Sequence, residues 1–365
     1  MHRFRTFLFL TLTLALLLAS PLLYRSSLAD NGPQHRVSSN SFGVSGGNVN
    51  DRSRSFCCSG TLGSLVQDSA GTRYILSNNH VMARSDAAAI GEDISQPGMI
   101  DVNCQIAEIV ADLSAYPSVR TSGVDAAIAQ LRPNAMDASG TILDIGTISS
   151  IVLPPVIGLP VQKSGRTTGH TTGSVSSINT SVSIQYQQGC GGGKKFTGSF
   201  TNQVVINSST FSAGGDSGSL IVSSGACPQP VALLFAGSST TTIGNPIGTV
   251  LSRVSTALGR EVSFVGTACG TTTSSTSSTS ASDEGGIMSR VPQVAVDRAR
   301  GVKEANERVL MALPSVIGVG IGDAGNGDAA IVIYVDRTTG VRPVLPRNLE
   351  GVAVREILTD PFVAR

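Results

Sequence analysis

Short apolar runs separated by glycine and small polar residues dominate the central part of the chain. Between residues 43 and 266, runs such as Tyr74-Ile75-Leu76 and Val204-Val205-Ile206 recur between clusters of Gly, Ser, Asn and Asp. An amphipathic helix repeats its apolar residues at steps of three and four, and only a weak stretch near 101–114 does so. The pattern therefore predicts an antiparallel all-β protein, either a barrel or a sandwich.

The pattern changes after a segment of low complexity. Residues 270–286 are almost wholly Thr, Ser, Gly and Ala, which cannot bury enough apolar surface to order the backbone, so we expect a linker. Apolar residues then fall at helical spacing, and three β-rich runs follow at 315–321, 329–335 and 352–357. The residues at helical spacing are Val291, Ala295, Ala299, Val302, Ala305, Val309 and Ala312. We predict a small C-terminal α+β domain over 287–365.

The N-terminal segment predicts export. Arg3 and Arg5 precede an apolar run from Phe7 to Leu18, and Ser27-Leu28-Ala29 offers small residues for cleavage, so residues 1–29 have the features of a secretory signal peptide. An uncleaved membrane anchor is the alternative, because apolar residues continue to Leu23. Residues 30–42 form a polar tail. The expected location is secreted or periplasmic.

The cysteines indicate whether disulfides form, and the net charge indicates which partners to expect. Six cysteines without zinc-ligand spacing favour disulfides, and about 15 complete pairings are open. Cys57 and Cys58 are adjacent, so we expect each to pair elsewhere; free thiols are the alternative. A net charge of +1 without a basic stripe excludes nucleic acid as the expected partner. A membrane becomes a partner only if the signal stays uncleaved.

A glycine-rich segment carries the candidate nucleophile. In Gly215-Asp216-Ser217-Gly218-Ser219, flanking glycines let the backbone bend tightly around Ser217 and aim amide groups at a developing oxyanion. Gly215 and Ser217 are the candidate donors, and Asp216 is expected to hold the loop. An ordinary glycine-rich turn is the alternative interpretation.

Elimination identifies the base that a serine nucleophile needs. Of the four histidines, His2 lies in the signal, His35 in the tail and His170 in a turn-like string, whereas His80 follows an apolar strand. The orienting carboxylate is assigned to Asp125, because an acid within the small, apolar run Gly123–Ala129 is costly without a partner. A loop-capping role for Asp125 is the alternative.

The order His80, Asp125, Ser217 and the serine motif resemble the chymotrypsin/trypsin-like serine protease family. The strings Leu76–Val81, Lys163–Gly169 and Leu233–Ser238 are most similar to bacterial trypsin-like proteases akin to the narrow-leaf proteins of plants. The resemblance covers about residues 43–266, and we predict a protease domain over 43–269. It implies two six-stranded barrels that meet near 135–160, with the triad in the cleft and the oxyanion hole at Gly215 and Ser217.

Two departures limit what the resemblance implies. Asn78-Asn79 replaces the residues that digestive trypsins carry before the histidine, so their disulfide pattern is not transferred. Phe211 stands where the floor of the primary substrate pocket falls, which removes the reason to expect cleavage after Arg or Lys. Ala236 and Gly237 would line the pocket wall, a hint of a small or apolar substrate side chain.

We therefore predict a chymotrypsin-like all-β double barrel with a small C-terminal α+β domain, acting as a serine endopeptidase on proteins or peptides. The alternative is an inactive protease-fold scaffold that binds peptides. We expect no cofactor and no metal, since the loop with Asp323, Asn326 and Asp328 is more typical of a hairpin turn than of a cation site. The C-terminal domain is either an inhibitory or targeting module or a simple interaction domain, and its contact with the protease domain is an open expectation.

Overall fold

The computed structural model describes residues 32–35, 40–268 and 291–364. These residues form two β-barrels followed by a C-terminal helix and strands, so the predicted fold class is confirmed. The predicted signal peptide and the whole of the predicted linker lie outside the described residues. Ser41 and Phe42, at the end of the predicted polar tail, are buried, and the Phe42 amide donates to Thr141 O at 2.8 Å.

The first barrel holds seven strands, and its helix α1 is a single turn. Its elements are β1 (Val44–Asn48), β2 (Gly60–Leu62), β3 (Ser64–Asp68), β4 (Arg73–Ser77), α1 (Asn79–Met82), β5 (Asp93–Gln96), β6 (Glu108–Ala115) and β7 (Ala127–Leu131). The pairing order is β3-β4-β7-β6-β5-β1-β2. Because only Gly63 separates β2 from β3, the sheet closes on itself. Alternating Val, Leu, Ile and Ala side chains fill its interior.

The second barrel closes in the same way. Its strands are β8 (Pro160–Gly165), β9 (Gly169–Ser174), β10 (Ser177–Gln187), β11 (Lys195–Asn207), β12 (Leu220–Ser223), β13 (Pro230–Gly237) and β14 (Thr241–Pro246). They pair in the order β10-β11-β14-β13-β12-β8-β9. Only residues 175–176 separate β9 from β10, so the two ends of this order meet.

Two segments differ from the sequence prediction. Residues Ile247–Leu258 form helix α2, which the prediction for 43–266 lacked, and β15 (Val262–Phe264) then pairs with β3 of the first barrel. The weak helical candidate near 101–114 is wrong: a 3-10 turn, Met99–Val102, precedes strand β6 there. Cross-strand pairing of β6 with both β5 and β7 overrides its weak helical spacing.

The C-terminal region contains the helix and strands expected from its pattern. They are α3 (Gln293–Met311), β16 (Val316–Asp323), β17 (Ala329–Asp336), β18 (Asn348–Leu349), β19 (Val352–Thr359) and β20 (Val363–Ala364), with a 3-10 turn at Arg337–Thr339. Helix α3 buries Ala295, Ala299 and Val302 as predicted, but Val309 is 66% exposed. Strand β16 pairs with β10, so these strands continue the sheet of the second barrel.

Disulfides link segments that are distant in the chain. Cys57 bonds Cys104 and Cys58 bonds Cys190, so each of the adjacent cysteines pairs elsewhere, as expected. Cys227 is also disulfide-bonded. The Cys58–Cys190 bond connects the loop after β1 with the loop after β10, and so joins the two barrels beside the cleft. Within the described ranges, no helix is long and apolar enough to cross a membrane.

Candidate active site

His80 lies on the single helical turn α1, directly after strand β4. Its Nδ1 is 2.6 Å from Oδ2 of Asp125, and its backbone amide donates to Oδ1 of the same carboxylate at 3.1 Å. Because an ionised carboxylate only accepts hydrogen bonds, this contact assigns the proton to Nδ1 and leaves Nε2 as the basic nitrogen. The His80 side chain is 13% exposed, whereas that of Asp125 is fully buried.

The buried Asp125 carboxylate has a third donor that the sequence did not reveal. The Tyr186 hydroxyl, from strand β10 of the second barrel, donates to Asp125 Oδ2 at 2.8 Å. Complete burial, and then the neighbouring Asp125 charge, raise the pKa of Tyr186 well above its ordinary value, so the hydroxyl stays a donor. Three hydrogen bonds thus compensate the burial of this carboxylate.

Two asparagines fix the backbone of Asp125 from opposite sides. Asn78 Nδ2 donates to Asp125 O at 2.6 Å, and Asn245 Oδ1 accepts from the Asp125 amide at 2.9 Å. The neighbouring Asn79 donates to Asp86 Oδ1 and Pro117 O, at 2.7 and 2.9 Å. The Asn78-Asn79 pair, which appeared in the sequence only as a departure from digestive trypsins, therefore supports the turns that carry His80 and Asp125.

Ser217 lies in the tight turn that precedes β12. Gly215 and Gly218 adopt φ of +98° and +94°, a region that favours glycine. A Cβ on Gly215 would lie 2.5 Å from Thr167 Oγ1. The amides of Asp216 and Gly218 donate to Ala213 O and Leu234 O, at 3.1 and 2.9 Å. Within the described part of the chain, the Gly215 and Ser217 amides have no hydrogen-bond acceptor.

Asp216 is buried and holds the serine turn. Its carboxylate accepts from the amides of Thr167, Thr168 and Ala213 at 2.8 to 3.1 Å and from Thr168 Oγ1 at 2.8 Å. Lys163 Nζ lies 3.6 Å from Asp216 Oδ2, and both side chains have no exposed surface. Burial lowers the pKa of Lys163, while the Asp216 charge opposes that change. A buried ion pair therefore fixes the loop on the N-terminal side of Ser217.

The structure brings Ser217 and the His80 turn to one place. A Cβ added to Gly60 would lie 2.6 Å from Val81 Cγ2 and 2.9 Å from Ser217 O, so the residue after His80 and the serine flank the same glycine. The Thr61 amide donates to Ser217 O at 2.7 Å, which attaches the serine turn to the first barrel. Ser217 Oγ donates to Phe235 O of β13 at 3.3 Å, and Ser217 is fully buried.

A cavity of about 280 Å³ opens between the barrels beside His80. Tyr186, Asp51 and the Cys58 disulfide line it. Burial raises the pKa of Asp51 to about 6, against the opposing charges of Arg84 and His80. Within the described residues, Asp51 Oδ1 has no hydrogen-bond partner.

The residues predicted to form the substrate pocket separate into two clusters. Phe211 is fully buried in the barrel interior, where it packs near Val161 and Gly173. Ala236 packs instead with Phe235 and Tyr186, and Gly237 follows it at the end of β13. The cavity beside His80 is lined by neither Phe211 nor Ala236 nor Gly237.

Two further candidates from the sequence lie away from His80. His170 is on the outer face of β9, where its Nε2 is 2.8 Å from Gln162 Oε1, so it belongs to a strand and not to a turn. In the loop after β16, Asp328 forms an ion pair with Arg298 at 2.8 Å, and Asp323 and Asn326 accept backbone amides. Within the described residues, no cluster of His, Cys, Asp or Glu has metal-ligand geometry.

The chain resembles solved bacterial proteases in structure but not closely in sequence. No protein-family model and no curated protein matches it. A glutamic acid-specific serine protease aligns over 58% of this chain and 95% of its own, with 20% identity and a TM-score of 0.41. Protease A of Thermobifida fusca aligns over 61% and 97%, with 18% identity and a TM-score of 0.39. The Nocardiopsis protease aligns over 54% and 90%, with 17% identity and a TM-score of 0.36. These neighbours are chymotrypsin-like serine proteases, and at these TM-scores the likeness carries no argument about activity.

Proposed function

We propose that this chain is a secreted serine endopeptidase that hydrolyses peptide bonds through an acyl-enzyme on Ser217. The observation that carries the proposal is the buried Asp125 carboxylate, which accepts from His80 Nδ1 at 2.6 Å and from Tyr186 at 2.8 Å. An acid held in this way fixes the histidine tautomer that a general base needs and stabilises the imidazolium formed during reaction.

The proposed reaction assigns one role to each group. His80 Nε2 removes the Ser217 proton as Oγ attacks the substrate carbonyl, and then returns that proton to the leaving amine. The amides of Gly215 and Ser217 stabilise the oxyanion, which fits their lack of an acceptor within the described residues. Water then attacks the acyl-enzyme, with His80 again serving as base.

The disulfides support the proposed location. Cys57–Cys104 and Cys58–Cys190 form and persist in oxidising compartments, which fits a secreted or periplasmic protein. Protein or peptide substrates follow from the proposed chemistry. We assign no preferred substrate side chain beside the cleaved bond, because Phe211 belongs to the barrel interior.

Turnover of casein or of a peptide library tests the proposal. We expect hydrolysis by the chain and its loss in Ser217→Ala, with Ser209→Ala, an exposed serine of the preceding loop, as the matched control. Binding of peptides without cleavage would instead support the inactive scaffold. Turnover that persists in Ser217→Ala would assign the reaction to another group.

A further inference from the structure

The short strand β20 lies on an edge of β13 that the second barrel leaves open. Strand β12 pairs with β13 only as far as Leu233, opposite Leu220. Beyond that point β20 takes the edge, with Ala364 opposite Ala236 and Val363 opposite Gly237 in antiparallel register. An unpaired strand edge is a ready site for an added peptide strand.

This edge begins beside the candidate nucleophile. Ser217 Oγ is 3.3 Å from Phe235 O, and Ala236 and Gly237 follow Phe235 along β13. Because β20 runs antiparallel, its chain direction from Val363 to Ala364 leads toward Phe235 and Ser217. A peptide that binds the edge with this polarity has its bound residues before the carbonyl that reaches Ser217.

The approach of β20 extends into the cavity beside His80. Ala364 lines the cavity of about 280 Å³ together with His80 and Tyr186. Ser217 has no exposed surface. A peptide that pairs with Ala236 and Gly237 therefore has to displace β20 before its carbonyl contacts Ser217 Oγ, whereas a small reagent that does not use this edge does not.

Side-chain contacts hold the segment before β20 in place. Phe362 is 1% exposed, and its ring lies 5.7 Å from that of Tyr334. The Phe362 carbonyl accepts a hydrogen bond from the Gln185 amide of β10 at 2.9 Å. The segment is therefore bound between two strands of the second barrel, as an inserted peptide would be.

Polar contacts anchor the same segment at the turn after β13. Thr359 Oγ1 is 2.5 Å from Ser238 Oγ, and both residues are buried. Asp360 forms an ion pair with Arg337 at 2.7 Å and accepts from Ser239 Oγ. The anchored segment thus begins at the end of β19 and runs along β13 to Ala364, which lines the cavity beside His80.

We propose that residues 360–364 occupy the peptide-binding edge of their own cleft and inhibit the chain in cis. This inference rests on the proposed function and names its ligand: an extended peptide that pairs with Ala236 and Gly237 and places an aromatic side chain where Phe362 lies. Substrate competes with the tethered segment for the same edge. The apparent affinity for substrate is then the intrinsic affinity multiplied by the fraction of chains in which the edge is free.

Two substrates of different length test the proposal in the full chain and in a chain that ends after Asp360. The long probe is a fluorogenic tetrapeptide library with phenylalanine at its first position, and the short probe is p-nitrophenyl acetate. Truncation should raise kcat/KM for the long probe by about tenfold or more, as expected if the edge is free in about a tenth of the full chains, and change the short probe less than about twofold. If the truncated chain does not fold, Phe362→Ala replaces it and should likewise raise kcat/KM for the long probe. Val344→Ala, 95% exposed in the same region, is the control.

Equal use of the long probe by the full and shortened chains would overturn the inference and leave the proposed function intact. A chain that hydrolyses neither probe would contradict the proposed function, and peptide binding then decides occupancy. A fluorescein-labelled peptide of residues 360–364 should bind the shortened chain about tenfold more tightly, or more, than the full chain. Equal binding to both, or to neither, would overturn the inference.

Discussion

The buried pair of Lys163 and Asp216 gives a prediction whose size follows from the structure. At the 3.6 Å separation of Nζ and Oδ2, opposite charges attract by about 5 kcal/mol for an effective dielectric constant near 20. Removing one partner of a buried pair costs about 3 to 5 kcal/mol, because the other charge is left uncompensated. Asp216 keeps its four hydrogen bonds in Lys163→Met, so we expect a loss of about 3 kcal/mol at pH 7.

Urea unfolding followed by far-UV circular dichroism measures this loss, since the chain has no tryptophan. Lys195→Met removes an exposed lysine from β11 and is the matched control, for which we expect a change within about 0.5 kcal/mol. A loss below about 1 kcal/mol for Lys163→Met, or an equal loss in the control, would refute the proposed role of the pair.

Three further predictions concern the triad, the oxyanion turn and the cavity. Tyr186→Phe removes a hydrogen bond to the charged Asp125, worth about 1.5 to 3 kcal/mol, so kcat/KM should fall by about tenfold to a hundredfold in a peptide assay. Gly215→Ala forces a Cβ into Thr167 at a φ of +98°, so kcat should fall by about a hundredfold or more. Asp51→Asn should change how stability depends on pH. The folded state holds the Asp51 proton up to about pH 6, against 3.8 for a free carboxyl, so the stability contributed below pH 4 is lost as the pH rises through 6. The stability of the parent chain relative to Asp51→Asn should therefore drop by about 3 kcal/mol at most between pH 4 and pH 7, in urea unfolding at both values.

Each of these predictions has a control or a contrary result. Gly71→Ala places a Cβ at a φ of +83° with no atom within 4 Å, so it should leave kcat unchanged and separate backbone strain from loss of the oxyanion donors. Unchanged kcat/KM in Tyr186→Phe would show that Asp125 holds His80 without the phenol. Parallel pH profiles for the parent chain and Asp51→Asn would contradict the burial of an ionisable carboxyl in the cavity.

Part of the candidate site could be predicted from local sequence. Elimination among four histidines and the cost of an acid in an apolar strand identified His80 and Asp125, and the structure pairs them at 2.6 Å. The sequence also indicates the position of Lys163. It lies two residues after the buried Val161 on β8, so its side chain shares the inward face of the strand and requires a partner.

Other features depend on contacts between distant segments. Tyr186 contacts Asp125 across 61 residues, and nothing near Tyr186 in the sequence indicates that contact. The two disulfide pairs could not be chosen among about 15 pairings.

Helix α2, in contrast, was predictable from its sequence, since its buried residues Ile247, Val250 and Val254 fall at steps of three and four.

The C-terminal region shows the same limit. Its helix and strands were predictable because each has a clear period, whereas the pairing of β16 with β10 is a tertiary contact. Strand β20 has two residues, too few for any periodic pattern, and its place on β13 depends on the edge that β12 leaves open.

Covalent labelling of Ser217 tests the central claim most directly. A small aryl sulfonyl fluoride reacts with an activated serine without needing the peptide-binding edge. Peptide mapping by mass spectrometry should find one adduct per chain, on Ser217, in both the full chain and the chain that ends after Asp360, and the adduct should be absent from His80→Ala. Folded protein without an adduct on Ser217 in either chain, or equal labelling of Ser217 in His80→Ala, would contradict the account.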